Sequence, residues 1–167
     1  GTLNAMIQQS VKTGDSGAEA QRRFRAQAEE ILRMGGVGFG EMTTEHFVSD
    51  TPYQYAPSDH PLFLLLADIS AERNAPIVIH MESALRDMAA PALLGPRNPQ
   101  RIRGNLPAFE RLLAHNRRAR IVWAHFGSDS LGFRTPELAR RLLRAYPNLF
   151  MEIKTDPVLH GANYPLD

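Results

Sequence analysis

Ala75-Pro76-Ile77-Val78-Ile79-His80-Met81-Glu82 is the stretch whose reading decides the fold. Pro76 stops any helix arriving from upstream, because it lacks the amide proton and its ring clashes with the preceding turn. Ile77, Val78 and Ile79 then form a short β-branched run, the signature of a strand buried on both faces, as in a parallel sheet. The run ends on polar residues, His80 and Glu82. Parallel sheets and barrels place their chemistry at the carboxyl ends of strands, so His80 is a candidate functional residue. A strand-end histidine that only satisfies a hydrogen bond is the alternative. What decides between them is whether other strands end in the same way.

They do. Downstream, Arg120-Ile121-Val122-Trp123-Ala124-His125 repeats the pattern and runs into Phe126-Gly127-Ser128. Upstream, Val37-Gly38-Phe39-Gly40-Glu41 reads as a short strand ending on Glu41, and Asn148 to Lys154 reads as a fourth. Helical patterns separate them. Ala18–Met34 carries Phe24, Ala28, Ile31 and Leu32 on one face and ends at Gly35-Gly36. His60-Pro61 opens a helix with Leu62, Leu65, Leu66 and Ile69 inward. Asn105 is the expected N-cap of another, bearing Leu106, Phe109, Leu112 and Leu113. Thr135-Pro136-Glu137 starts a last helix, with Leu138, Leu142 and Tyr146 facing the core. Four successive βα units predict an α/β fold with a parallel sheet and outer helices. Residues 1–17 are expected to be a flexible lead-in, and Met42–Asp59 and Ser83–Gly104 long loops.

Composition narrows the function. The 167 residues suffice for one domain, and 43% hydrophobic with 22% charged residues describe a globular chain. A net charge of +1 gives no reason to expect nucleic acid or an acidic membrane as a partner. No apolar run reaches the ~18 residues of a membrane span, and the compartment, cytoplasmic or exported, stays open. The absence of cysteine excludes disulfides, thiolate metal sites and a Cys nucleophile.

One carboxylate and two imidazoles at equivalent strand ends are a usual ligand set for zinc or a similar divalent metal. Barrel geometry brings strand ends together whatever their spacing in sequence. Gly-Phe-Gly-Glu41, Pro-Ile-Val-Ile-His80 and Trp-Ala-His125-Phe-Gly, in that order, resemble the amidohydrolase superfamily, and more narrowly its amidohydrolase 2 and deoxyribonuclease-like TIM-barrel hydrolases. The resemblance covers about residues 18–156 and implies that Glu41, His80 and His125 are metal ligands on the fourth, fifth and sixth barrel strands, with 148–154 the seventh. It implies a divalent metal, most often zinc, with manganese, iron or nickel as alternatives. It further implies a small-molecule substrate hydrolysed at an amide, ester, lactone or phosphoester bond.

Two departures stand out. The family's first-strand His-x-His pair is missing, and so is the eighth-strand Asp that serves as ligand and general base; Asp156 follows the seventh strand and does not fill that role. The catalytic base is therefore unknown. A whole barrel takes ~250 residues, so the chain is expected to be a partial barrel, strands four to seven, with two open sheet edges. Glu82, Trp123 and Lys154 are candidate substrate contacts: Glu82 from His80's face, Trp123 as a pocket floor, Lys154 against a substrate anion. A decarboxylase of the same superfamily, or an inactive barrel relic acting as a binding module, are the competing readings. A homo-oligomer is possible on either.

Overall fold

A computed structural model describes residues 1–126 and 129–153. Strands and helices alternate around one five-stranded sheet, in spatial order β2 (Gln54–Tyr55), β1 (Phe39–His46), β3 (Ile77–Met81), β6 (Ile121–Trp123), β7 (Leu149–Met151). Neighbours from β1 to β7 are parallel, and β2 is an antiparallel edge on β1. The parallel strands lie side by side in chain order, without the inversion of a doubly wound sheet. This is consistent with part of a (β/α) barrel-like topology.

Outer helices account for the connections. α2 (Ala18–Arg33) buries Ala20, Phe24 and Ala28. α3 (Pro61–Arg73) is capped by the His60 ring, whose Nδ1 accepts the Leu62 amide at 3.2 Å, and it ends at Asn74 in the left-handed conformation. Ion pairs Arg25–Glu72 (2.6 Å) and Arg73–Glu29 (2.9 Å) join these two helices along their exposed faces. α4 (Leu106–His115) and α5 (Pro136–Ala145) complete the layer; Thr135 caps α5 by accepting the Leu138 amide at 3.2 Å. Ile77, Ile79, Ile121 and Trp123 are wholly buried with Leu66, Phe109 and Leu112 in one core. Each such side chain contributes roughly 1.5–3 kcal/mol by leaving water.

Three expectations change. The lead-in is a helix, α1 (Thr2–Thr13), because Leu3 and Ile7, one helical turn apart, are buried in the main core. Asn4 accepts the Thr43 amide (2.9 Å) and Gln8 donates to the Thr43 carbonyl (3.2 Å), so side-chain amides of α1 cover the edge of β1 that was expected to be open. β1 does not stop at Glu41 but runs on to His46, since Thr43 and Thr44 are β-branched and suit a strand. The excursion after β3 holds a short antiparallel ladder, β4 (Met88–Ala89) with β5 (Arg101–Ile102), and a 3₁₀ turn at Ala92–Leu94, where a long loop was expected.

A candidate metal centre at the strand ends

His80 is the penultimate residue of β3 and His125 lies two residues past β6. Their register is fixed from below: Ile77 sits beside Ile121, Val78 beside Val122 and Ile79 beside Trp123. Glu41 reaches them by a bulge. Between the pairs Phe39↔Ile77 and Met42↔Ile79, β1 has two residues where β3 has one, and the extra residue turns the Glu41 side chain to the half-exposed rim. Re-aiming a side chain in this way is what bulges do beside functional sites.

The three side chains converge on one oxygen. Glu41 Oε1 is 2.8 Å from His80 Nδ1 and 3.1 Å from His125 Nε2. The two rings stand 5.4 Å apart, nearly perpendicular. One ligand atom from each of Glu41, His80 and His125 lies within 4.8 Å of the others. The hydrogen bond from His80, then the positive charge of both imidazoles when protonated, hold the Glu41 carboxyl below the usual carboxylate range despite its partial burial.

The fit to a cation rests on two observations. His80 Nε2 is buried and has no hydrogen-bond partner among the described residues. The donor set is two nitrogens and one carboxylate oxygen, the borderline set that suits zinc and its neighbours. A Glu/His/His cluster near the carboxyl ends of parallel strands has the geometry of a metal-dependent hydrolase active site.

Two further candidates, Trp123 and Glu82, lie among the described residues. Trp123 is the last residue of β6. It is wholly buried, donates its indole N–H to the Met81 carbonyl at 3.0 Å, and packs on Phe109 and Phe126. Strand alternation does not extend to His125, because β6 ends at Trp123 and the chain turns, with His125 at φ 58°. Glu82 is nearly buried, with Oε2 3.5 Å from Arg134 Nη2. Lys154 and Asp156 lie outside the described residues.

Several neighbours of the cluster were not among the candidates. The His46 ring, at the end of β1, lies 4.8 Å from that of His80. Arg134 is buried over the Trp123 ring, and burial pushes its pKa down; it donates through Nη1 to the His125 carbonyl at 2.8 Å and through Nη2 to that of Met81. Asn105 has no capping hydrogen bond; its side chain donates to Glu45 Oε2 (2.7 Å) and the Glu82 carbonyl (2.6 Å) and accepts the Ala84 amide (2.9 Å). Glu152, next after β7, has Oε2 3.3 Å from both the amide and Nδ1 of His125. Only Glu152 left a signal in the sequence: it is the first polar residue after a strand, the same rule that selected His80.

No protein-family model matches this chain, and comparison with curated proteins finds no significant match. No helix among the described residues is long and apolar enough to cross a membrane.

Proposed function

We propose that this chain carries the metal centre of an amidohydrolase-type, metal-dependent hydrolase built on a TIM barrel, with Glu41, His80 and His125 as ligands of a zinc ion. The observation that carries the reading is the convergence of two imidazoles on a single carboxylate oxygen at the sheet's functional end. A bound divalent cation would lower the pKa of a water toward ~7 and polarise a carbonyl or phosphoryl group of the substrate.

The chain's own residues have separable tasks. Glu41 brings the negative charge that offsets a cation, and the two imidazoles bring neutral nitrogen donors. Arg134 holds the carbonyls of Met81 and His125 and thereby the backbone next to both histidines. Glu82, which contributes negative charge near His46, has Oε2 3.5 Å from Arg134 Nη2. A small molecule with an amide, ester, lactone or phosphoester bond is the substrate class that such a centre serves.

Elemental analysis of the purified protein, beside His80→Ala and His125→Ala, tests the reading. Stoichiometric metal in the wild type and its loss in both folded variants is the expected outcome, followed by turnover in a screen of amides, lactones and phosphoesters. A folded wild-type protein that takes up no zinc, manganese, iron or nickel on supplementation would refute it.

A further inference from the structure

His125 is held from three sides by residues that do not belong to the cluster. Its carbonyl accepts from Arg134 Nη1 at 2.8 Å. Its amide donates to Glu152 Oε2 at 3.3 Å, and the same oxygen is 3.3 Å from ring Nδ1. Glu152 is itself fixed by backbone bonds on both sides of His125: its amide donates to the Trp123 carbonyl at 2.9 Å and its carbonyl accepts the Phe126 amide at 2.8 Å. The carboxylate is thus carried by β7's continuation to one place beside the ring, although half of its side chain is in solvent.

We infer that Glu152 is a positioning residue that keeps the Nδ1 proton on His125 and so presents Nε2, bare, toward Glu41 as the ligand atom for a divalent cation. The inference rests on the metal-site reading above. A carboxylate can only accept, so its charge 3.3 Å from Nδ1 favours the tautomer with the proton on that nitrogen. Nε2 of the neutral ring then carries its lone pair 3.1 Å from Glu41 Oε1. Two facing lone pairs repel, and a cation between them removes the conflict. A carboxylate on the far nitrogen of a ligating imidazole fixes the tautomer and raises the ligand's basicity, and losing such a partner typically costs about 10–100-fold in metal affinity. Arg134 acts on the same residue from the opposite end, by fixing the carbonyl of the left-handed turn that His125 occupies.

The test has two readouts. In the metal-free protein at alkaline pH, nitrogen NMR of labelled His125 should show protonated Nδ1 and unprotonated Nε2. Glu152→Ala should lose that preference. Cobalt titration, followed by the absorption of the bound ion, should give an affinity about 10–100-fold weaker in Glu152→Ala. Glu152→Gln should recover most of it, because the amide oxygen can accept from Nδ1. The thermal midpoint of each variant checks that the fold is intact. An unchanged tautomer and unchanged cobalt affinity in Glu152→Ala would overturn the inference, as would a Glu152→Gln protein no better than the alanine variant. A wild-type protein that takes up no cobalt would instead overturn the metal-site reading, while the tautomer of the metal-free protein still decides what Glu152 does.

Discussion

Glu41 and Glu45 stand four residues apart on the same strand and have opposite chemistry. Glu41 sits at the bulge, half exposed, with two imidazoles on one of its oxygens, and its pKa is held down. Glu45 is wholly buried; it accepts from the Tyr53 hydroxyl at 3.0 Å and from Asn105 at 2.7 Å. Burial, assisted by the charge of Glu82, outweighs those two hydrogen bonds and pushes Glu45 up to about 7. The difference teaches that burial and partners, not the residue type or the strand, set the role. The imidazole hydrogen bond makes Glu41 a standing negative charge fit to meet a metal. Neutral donors make Glu45 a pin, tying the loop that carries Tyr53 and the start of α4 to the end of β1.

The largest expected effect comes from removing the pin's best partner. Asn105→Ala leaves the Ala84 amide, the Glu82 carbonyl and Glu45 short of a partner. It should destabilise by about 3–5 kcal/mol in urea unfolding, as expected when several buried groups lose hydrogen bonds together. A loss under about 1 kcal/mol would mean that Asn105 does not hold these loops.

Next comes the pH dependence of Glu45. Its folded pKa of about 7 exceeds its ordinary 4.5, so the folded state binds the extra proton between those values. Its contribution to stability is therefore fully present below about 4.5 and is lost as pH rises through about 7. The difference across that window is on the order of 3 kcal/mol. Glu45→Gln should flatten this part of the stability curve, since the Tyr53 hydroxyl can turn to accept from the new amide. Equal slopes in the two proteins would show that Glu45 titrates normally.

Glu41→Gln probes the other half of the comparison. Cation affinity should fall by more than about 100-fold, or about 2.7 kcal/mol, while stability changes by less than about 1 kcal/mol, as for other exposed ion pairs. The reverse pattern would make Glu41 the structural residue of the two. The smallest effect is that of Tyr53→Phe, about 1 kcal/mol for one hydrogen bond, with cation affinity unchanged in the same titration.

How much of this could be read from the sequence follows the same division. The alternation of β-branched runs with amphipathic helices was legible, because buried parallel strands and outer helices have distinct periodicities. Glu41, His80 and His125 were legible as strand-end polar residues, and their convergence followed from parallel register. Glu45 was not, because Thr43-Thr44-Glu45-His46 looks polar and loop-like, and only the structure shows that β1 continues through it. The turn across Ala124–Phe126 was not legible, because the alternation of the strand carries on through these residues in the sequence. Glu152 was passed over for Lys154 because the strand's last residue, Met151, cannot be located to one position from composition alone. The apolar spacing of Leu3 and Ile7 did signal α1, but the turn-forming Gly14 to Gly17 that follows concealed that the helix packs against the core.

Zinc-edge anomalous diffraction from crystals of the zinc-loaded protein tests the central claim most directly. A single strong peak within bonding distance of Glu41, His80 and His125, roughly 2.0–2.2 Å from each ligand atom, is the predicted result. The His115–Asp68 pair at the end of α4, also an imidazole on a carboxylate at 3.1 Å, is the internal control and should show none. A zinc ion bound there, or at no ordered site, with Glu41 still hydrogen-bonded to His80, would contradict the account.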